Sequence, residues 1–268
     1  MLWLDKLPAD TRNLLDVLAG DKRLGQFFLI GGTALTLFWG HRQSEDLDFV
    51  TPQINLPTQD CEGLIEEIKS QNWRVEEFKD PKAQLQAAKE GFDLEESKRD
   101  FICTPRGGMP VKLTFFADDC RDTLPCYTSP LADLAHQYGE VKVLPPEVIF
   151  RLKSQLLLRR TSTRDLFDMM TFLDKGWSVE SMVDEMKKGN VLVDHETVRL
   201  RLLEWKIPPT DPGVARLIHG NCADLFPDES ASLADIRKRL KEHFDAYEAR
   251  IAQAILSERR DDPKGYTP

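Results

Sequence analysis

Cysteine is scarce in this chain, and no two of its cysteines form a C-x-x-C pair. Because they are scattered and odd in number, the sequence predicts neither a zinc site nor a disulfide framework. We therefore expect free thiols in a reducing compartment, the cytoplasm. The five cysteines are Cys61, Cys103, Cys120, Cys126 and Cys222.

Long apolar runs are also missing. No stretch reaches the roughly 18 consecutive apolar residues of a membrane-spanning helix. The first residues, MLWLDKLPADTR, contain no basic segment followed by an apolar one. We therefore expect neither a membrane partner nor a secretory signal.

Positive charge is in deficit. The chain has 36 Lys and Arg against 45 Asp and Glu, which gives a net charge of −9 and a sequence pI of about 5.2. This excludes a generic nucleic-acid binder, which needs clustered Lys and Arg to neutralise phosphates. A small nucleotide or a protein partner suits an acidic chain better, although a local basic groove could still bind RNA.

The predicted elements change in kind along the 268 residues. Periodicity predicts a mixed first half, with strands at 27–30, 46–50, 73–78, 99–104 and 111–116 and helices at 8–19, 33–40 and 58–70. A turn at P-R-G-G joins the last two strands. A strand at 141–144 then precedes helices at 147–160, 162–175, 178–189, 194–205 and 231–257, with Ser162 or Thr163 capping the second. The fold class is therefore α/β (α+β), with a sheet domain over 1–125 and a helical domain over 126–268.

A glycine pair follows the first predicted strand, in the order Gly31, Gly32, Thr33. Glycines let the backbone approach a ligand closely. A helix that starts there offers its free N–H groups to a phosphate. The alternative is an ordinary turn between a strand and a helix.

Two carboxylates, Asp46 and Asp48, alternate on the second predicted strand. Alternate residues of a strand face the same side, so the two side chains project together. Their like charges repel, and a divalent cation such as Mg²⁺ relieves this by binding carboxylate and phosphate oxygens together. The alternative is an ordinary exposed strand.

Taken together, the segment GGTALTLFWGHRQSEDLDF resembles the first motif of polymerase-β-like nucleotidyltransferases. GGTAL followed by GHRxSxDLDF is similar, more narrowly, to the AbiEii toxin family of bacterial abortive-infection and toxin–antitoxin systems. Ser44 and Phe49 also match that pattern, and Arg42 stands where it could touch a phosphate. The resemblance implies a nucleotidyltransferase-like mixed sheet with flanking helices.

A second motif of the AbiEii family is a lysine helix followed by a helix of the type R/K-D-x-x-D-L. Here Lys153 lies in PPEVIFRLKSQLLLRR, and Asp165 lies in RDLFDM, with Met169 in place of the usual leucine. A lysine is a compact counter-charge for a triphosphate, and Asp165 could orient that lysine or the nucleotide. The alternative is an Arg–Asp pair that caps a helix beside a structural lysine. The resemblance covers residues 27–50 and 111–175.

The resemblance implies transfer of a nucleoside monophosphate from a nucleoside triphosphate (NTP) to an acceptor hydroxyl. Asp46 and Asp48 would hold Mg²⁺ or Mn²⁺, while Gly31, Gly32 and Thr33 cradle phosphates. The catalytic set is completed by Lys153 and Asp165, and the nucleotide-binding set by Arg42 and Ser44. The acceptor would be RNA, such as tRNA, and the chain would be a toxin with a cognate antitoxin protein.

One position departs from the polymerase-β pattern. A later strand usually carries a third carboxylate, but VKLTFF has Thr114 at the expected place, and Asp118 and Asp119 follow in a predicted loop. Either two carboxylates suffice, or another group supplies the base, or activity is impaired. A non-catalytic nucleotide-binding module that acts through a protein partner, and nucleotidylylation of a protein, stay open as alternatives.

Overall fold

The computed structural model describes residues 2–91, 93–117, 132–207, 211 and 232–261. The chain divides into two compact units, the first holding the described residues up to Lys153 and the second those from Ser154 onward. The predicted domain boundary at 125/126 lies outside the described residues, so it stays a prediction. No helix in the described part of the chain is both long enough and apolar enough to cross a membrane.

A seven-stranded mixed sheet forms the centre of the first unit. Its strands are β1 Phe28–Ile30, β2 Leu47–Thr51, β3 Trp73–Phe78, β4 Lys98–Pro105, β5 Val111–Ala117, β6 His136–Tyr138 and β7 Val141–Val143. They lie in the order β3-β4-β5-β2-β1-β7-β6. Strand β2 is antiparallel to β1 and parallel to β5. Together with the helices described below, this sheet confirms the predicted α/β fold class.

The described helices are α1 Ala9–Ala19, α2 Gly31–Trp39, α3 Thr58–Ser70, α4 Pro81–Glu90, α5 Pro146–Leu156, α6 Thr163–Asp174, α7 Val179–Gly189, α8 His195–Leu203 and α9 Leu233–Asp261. Helices α6 to α9 belong to the second unit. There α9 packs against α6, α7 and α8, and it buries Ile236, Leu240 and Phe244 completely.

Alternation along the strands gives the central sheet one apolar face. Phe49 and Phe115 are fully buried on it, with their ring centroids 5.8 Å apart. Helix α3 lies against this face, because Glu62 reaches Arg99, which shares its side of β4 with Phe101. The opposite face carries polar side chains, and one of these is Asp48.

Most predicted elements are confirmed with ends moved by one to four residues. The P-R-G-G hairpin is confirmed, because Gly108 N–H donates to Pro105 O at 3.2 Å and Gly107 has φ +78°. Two elements were not predicted, the edge strand β6 and helix α4. The latter is mostly polar, and its sequence signals are local: Asp80 accepts from Lys82 N–H as the N-cap, and Pro81 opens the helix.

Candidate functional site

The turn from β1 into α2 lies directly against Asp48. Gly31 has φ +76°, a conformation that side chains other than glycine rarely adopt. A Cβ atom added to Gly31 would lie 2.9 Å from Asp48 Oδ2. The positive φ and the close carboxylate therefore both require glycine at this position.

Gly32 leaves room for two buried side chains behind the turn. A Cβ added to it would lie 2.2 Å from Arg42 Nη2 and 2.9 Å from Ser44 Oγ. Arg42 and Ser44 are buried, and the Arg42 guanidinium also donates to Gln43 O at 2.9 Å. Both predicted residues thus lie against the turn from within, and their contact with a phosphate stays a prediction.

Hydroxyl groups hold the segment that leads from α2 to the acidic strand. Thr33 Oγ1 donates to Asp46 O and lies 2.9 Å from Ser44 Oγ, whose hydroxyl can donate to it. Thr36 Oγ1 donates to Arg42 O at 2.9 Å, and Thr11 Oγ1 to Glu45 O at 3.0 Å. Thr33, a predicted phosphate contact, therefore also positions Asp46. Sequence reasoning missed Thr11 and Thr36, since a buried threonine carries no motif of its own.

Asp48 lies within β2, whereas Asp46 directly precedes that strand. Burial raises the pKa of the Asp48 carboxyl, and the negative charge of Asp46 raises it further. Two partly buried carboxylates that raise each other's energy in this way suit a bound cation. The structure thus brings the predicted metal ligands together beside Gly31.

Lys153 approaches the same carboxylate from helix α5. Its side chain is only 8% exposed, and its positive charge opposes the rise in the Asp48 pKa, as does that of Lys112. Lys153 therefore lies in the same unit as the acidic pair, and its charge acts on Asp48 although the two residues are distant in sequence.

Asp165, the last predicted site residue, belongs to the second unit. It is buried at the start of α6, where its backbone N–H donates to Ser162 Oγ at 3.1 Å. Ser162 Oγ in turn donates to Asp165 Oδ2 at 2.6 Å, and Arg160 Nε lies 3.6 Å from the same oxygen. Ser162 is thus the helix cap, and the proposed role of Asp165 toward nucleotide stays a prediction.

The position of the expected third carboxylate is Thr114. It pairs with Asp48 across β2 and β5, and with Asp100 across β5 and β4. Thr114 Oγ1 donates to Asp100 Oδ1 at 2.8 Å. An acid therefore stands one strand beyond the expected place, and only the strand register reveals it. Asp118 and Asp119 lie outside the described residues.

The profile of the family described as nucleotidyl transferase AbiEii toxin, type IV toxin–antitoxin system, matches residues 14–264. This chain belongs to the AbiEii nucleotidyl transferase toxin family. The match extends well beyond the two segments that carry the motifs, so the family assignment rests on nearly the whole chain.

Relatives of this AbiEii-family chain are distant in sequence. The protein aq_aa25 of Aquifex aeolicus (strain VF5) is 24% identical over 197 residues, which are 72% of this chain and 80% of the relative. JHP933 of Helicobacter pylori has 18% identity and a TM-score of 0.53, with 95% of this chain and 98% of that chain covered. A second H. pylori structure, of a candidate nucleotidyltransferase, has 18% identity, a TM-score of 0.52 and coverages of 92% and 98%. These structures support the fold.

Proposed function

We propose that this AbiEii-family chain transfers a nucleoside monophosphate from an NTP to a hydroxyl group of RNA, such as tRNA. The acceptor oxygen would bond to the α-phosphorus, the bond from that phosphorus to the bridging oxygen would break, and pyrophosphate would leave while the acceptor proton passes to water. The observation that carries the proposal is the contact of the Gly31 backbone with Asp48, beside Asp46 and Lys153.

The acidic pair fits a divalent cation. Asp46 and Asp48 supply carboxylate oxygens, the ligands that Mg²⁺ prefers, and Mn²⁺ accepts the same set. Such a cation would neutralise charge on the phosphates. A second group in the described part of the chain, His195, Glu196 and Glu248, has ligand atoms within 4.8 Å of one another. It suits a cation less well, because Arg199 lies 3.5 Å from Glu248 and already offers a positive charge.

The glycine turn and the lysine would serve the triphosphate. Helix α2 begins at Gly31, so the first N–H groups of Gly31, Gly32 and Thr33 have no partners within the helix and are available to phosphate oxygens. Lys153 adds a compact positive charge near Asp48. Nucleotidyl transfer depends on such positioning and electrostatic stabilisation rather than on a covalent intermediate.

The AbiEii family supplies the biological setting of the proposal. Its description as a toxin of a type IV toxin–antitoxin system supports a role as a growth-arresting toxin that is neutralised by a cognate antitoxin protein. In this setting RNA is the proposed acceptor, and Asp165 stays a proposed catalytic residue.

The test is incubation of the full chain with each labelled NTP and Mg²⁺, with and without unfractionated tRNA. We expect label on RNA. Asp46→Asn with Asp48→Asn should abolish both transfer and metal-dependent NTP binding in calorimetry, since no ligand carboxylate remains. In the same assays, Lys153→Met should lose about ten- to a hundredfold in affinity or rate, because it removes a charge-assisted contact.

Three outcomes would contradict the proposal. Label on the protein would indicate protein nucleotidylylation instead. The absence of any transfer by the wild-type chain would indicate a nucleotide-binding module that acts through a partner. Unchanged NTP binding by the folded double aspartate variant would remove the metal site.

A further inference from the structure

The polar face of the sheet continues beyond the acidic pair toward the strand β3. Asp48, Thr114 and Asp100 form one row across three adjacent strands, because each pairs with the next in register. Lys112 lies two residues before Thr114 on β5 and Lys98 two residues before Asp100 on β4, so both point to this same face. Lys112 and its anchoring acid, Asp100, therefore flank the site on the β5 side, while Lys98 lies farther along the same face.

Asp100 is an anchor rather than a metal ligand. Its Oδ2 lies 2.7 Å from Lys98 Nζ, and its Oδ1 lies 3.2 Å from Lys112 Nζ and accepts from Thr114 at 2.8 Å. Burial pushes the pKa of Asp100 up, but hydrogen bonds from Lys98 and Thr114 outweigh this and hold it below its ordinary value. Both oxygens already have cationic or hydroxyl partners, so a metal ion would have to displace them.

Lys112 remains accessible while Asp100 holds it. Its side chain is 39% exposed, and its charge acts on Asp48 against the rise in that residue's pKa. Lys98 is similarly exposed at 44% and pairs with the same acid. However, Lys98 pairs in register with Phe116, toward the other end of β5, whereas Lys112 directly precedes the partner of Leu47, so Lys98 lies farther from the acidic pair. The two lysines thus differ mainly in their closeness to the site.

The sheet order decides which substrate Lys112 faces. The Gly31 turn lies on the β1 side of β2, and Lys112 lies on the opposite, β5 side. In phosphoryl transfer the attacking and leaving oxygens are roughly in line on opposite sides of the phosphorus. If the turn holds the leaving phosphates, the attacking hydroxyl arrives from the β5 side.

We propose that Lys112, held in place by Asp100, binds a phosphate group of the nucleic-acid acceptor on the β5 side of the site. This inference rests on the proposed function, and it assigns to the acceptor side a cation outside the glycine, aspartate and lysine motifs described above. Phosphate oxygens could also come from the NTP, so the test must separate the two sources.

The experiment compares Lys112→Met and Lys112→Arg with Lys98→Met as the matched control. Calorimetry with Mg²⁺ and NTP, without acceptor, measures binding of the NTP phosphates. Transfer rates at saturating NTP, over a series of tRNA and salt concentrations, measure binding of the tRNA phosphates. For Lys112→Met we expect a loss of about tenfold or more in kcat/KM for tRNA that clearly exceeds the change in NTP affinity, and a salt slope lower by about one. Lys112→Arg should restore most of the loss, and Lys98→Met should behave as wild type.

Three results would overturn the assignment. A loss in NTP affinity as large as the loss in kcat/KM for tRNA would indicate that Lys112 binds the triphosphate. An unchanged tRNA dependence and salt slope would make it a structural lysine. If Lys98→Met had the same effects as Lys112→Met, tRNA would interact with the positive charge of the whole face rather than with Lys112 in particular. Each of these requires an active wild-type chain, whereas an inactive wild type refutes the proposed function itself and this inference with it.

Discussion

Gly31 is subject to two constraints: its backbone is left-handed, and the Asp48 carboxylate leaves no room for a Cβ atom. Gly91 at the end of α4 supplies the matched control, because it has φ +81° but, apart from its chain neighbours, no atom of the described residues lies within 4 Å of an added Cβ. The pair separates the cost of backbone strain from the cost of crowding the site.

We expect Gly31→Ala and Gly91→Ala each to lower the free energy of unfolding by about 1–2 kcal/mol, the cost of a side chain in the left-handed region. Only Gly31→Ala should also weaken Mg²⁺-dependent NTP binding, because its Cβ would push Asp48 aside. Urea unfolding and calorimetry on the same preparations measure the two effects. Equal NTP affinity in both variants would show that the turn does not form the phosphate site.

At the scale of the elements, helix α6 begins with a cap that is coupled to a proposed site residue. Ser162 accepts from the Asp165 backbone and donates to the Asp165 carboxylate. Helix α7 in the same unit begins with Ser178, which accepts from Ser181 N–H at 3.0 Å and contacts no proposed site residue. We expect the two serine caps to contribute similarly to the free energy of unfolding, but only Ser162 also contacts the carboxylate of Asp165.

Ser162→Ala and Ser178→Ala should therefore each cost about 1 kcal/mol of stability through the lost cap. Only Ser162→Ala should reduce the rate of transfer, since it frees the Asp165 carboxylate from its hydroxyl partner. Chemical denaturation and the labelled-NTP assay provide the measurements. If both variants keep the wild-type rate, Asp165 serves as a capping residue and takes no part in catalysis.

The molecule as a whole is an acidic member of a toxin family, so its toxicity should depend on one small site rather than on a broad basic surface. Expression of the wild-type chain from a tightly controlled promoter should arrest bacterial growth. Asp48→Ala should abolish the arrest because it removes a proposed metal ligand, whereas Asp5→Ala, which alters an exposed acid, should not. Growth curves at matched protein levels measure this, and arrest by Asp48→Ala would place the toxic activity elsewhere.

Local sequence determined much of this protein. The fold class, most strands and helices, the β4–β5 hairpin and a helix cap at Ser162 or Thr163 all follow from neighbouring residues, because side-chain periodicity and turn chemistry act over a few positions. The glycine pair and the Asp46–Asp48 alternation are local for the same reason. Helix α4 was missed because its polar surface gives little periodic signal.

Only the tertiary structure decided what surrounds the acidic pair. Strand register sets Thr114 opposite Asp48 and Asp100 opposite Thr114, and helix packing brings Lys153 to the same carboxylate. These pairings join residues far apart in the chain, and a slip of one residue in register would turn Asp100 and Lys112 to the other face of the sheet. Spacing along the sequence carries no record of the β2–β5 register, so the place of Asp100 relative to Asp48 could be found only once those two strands were paired.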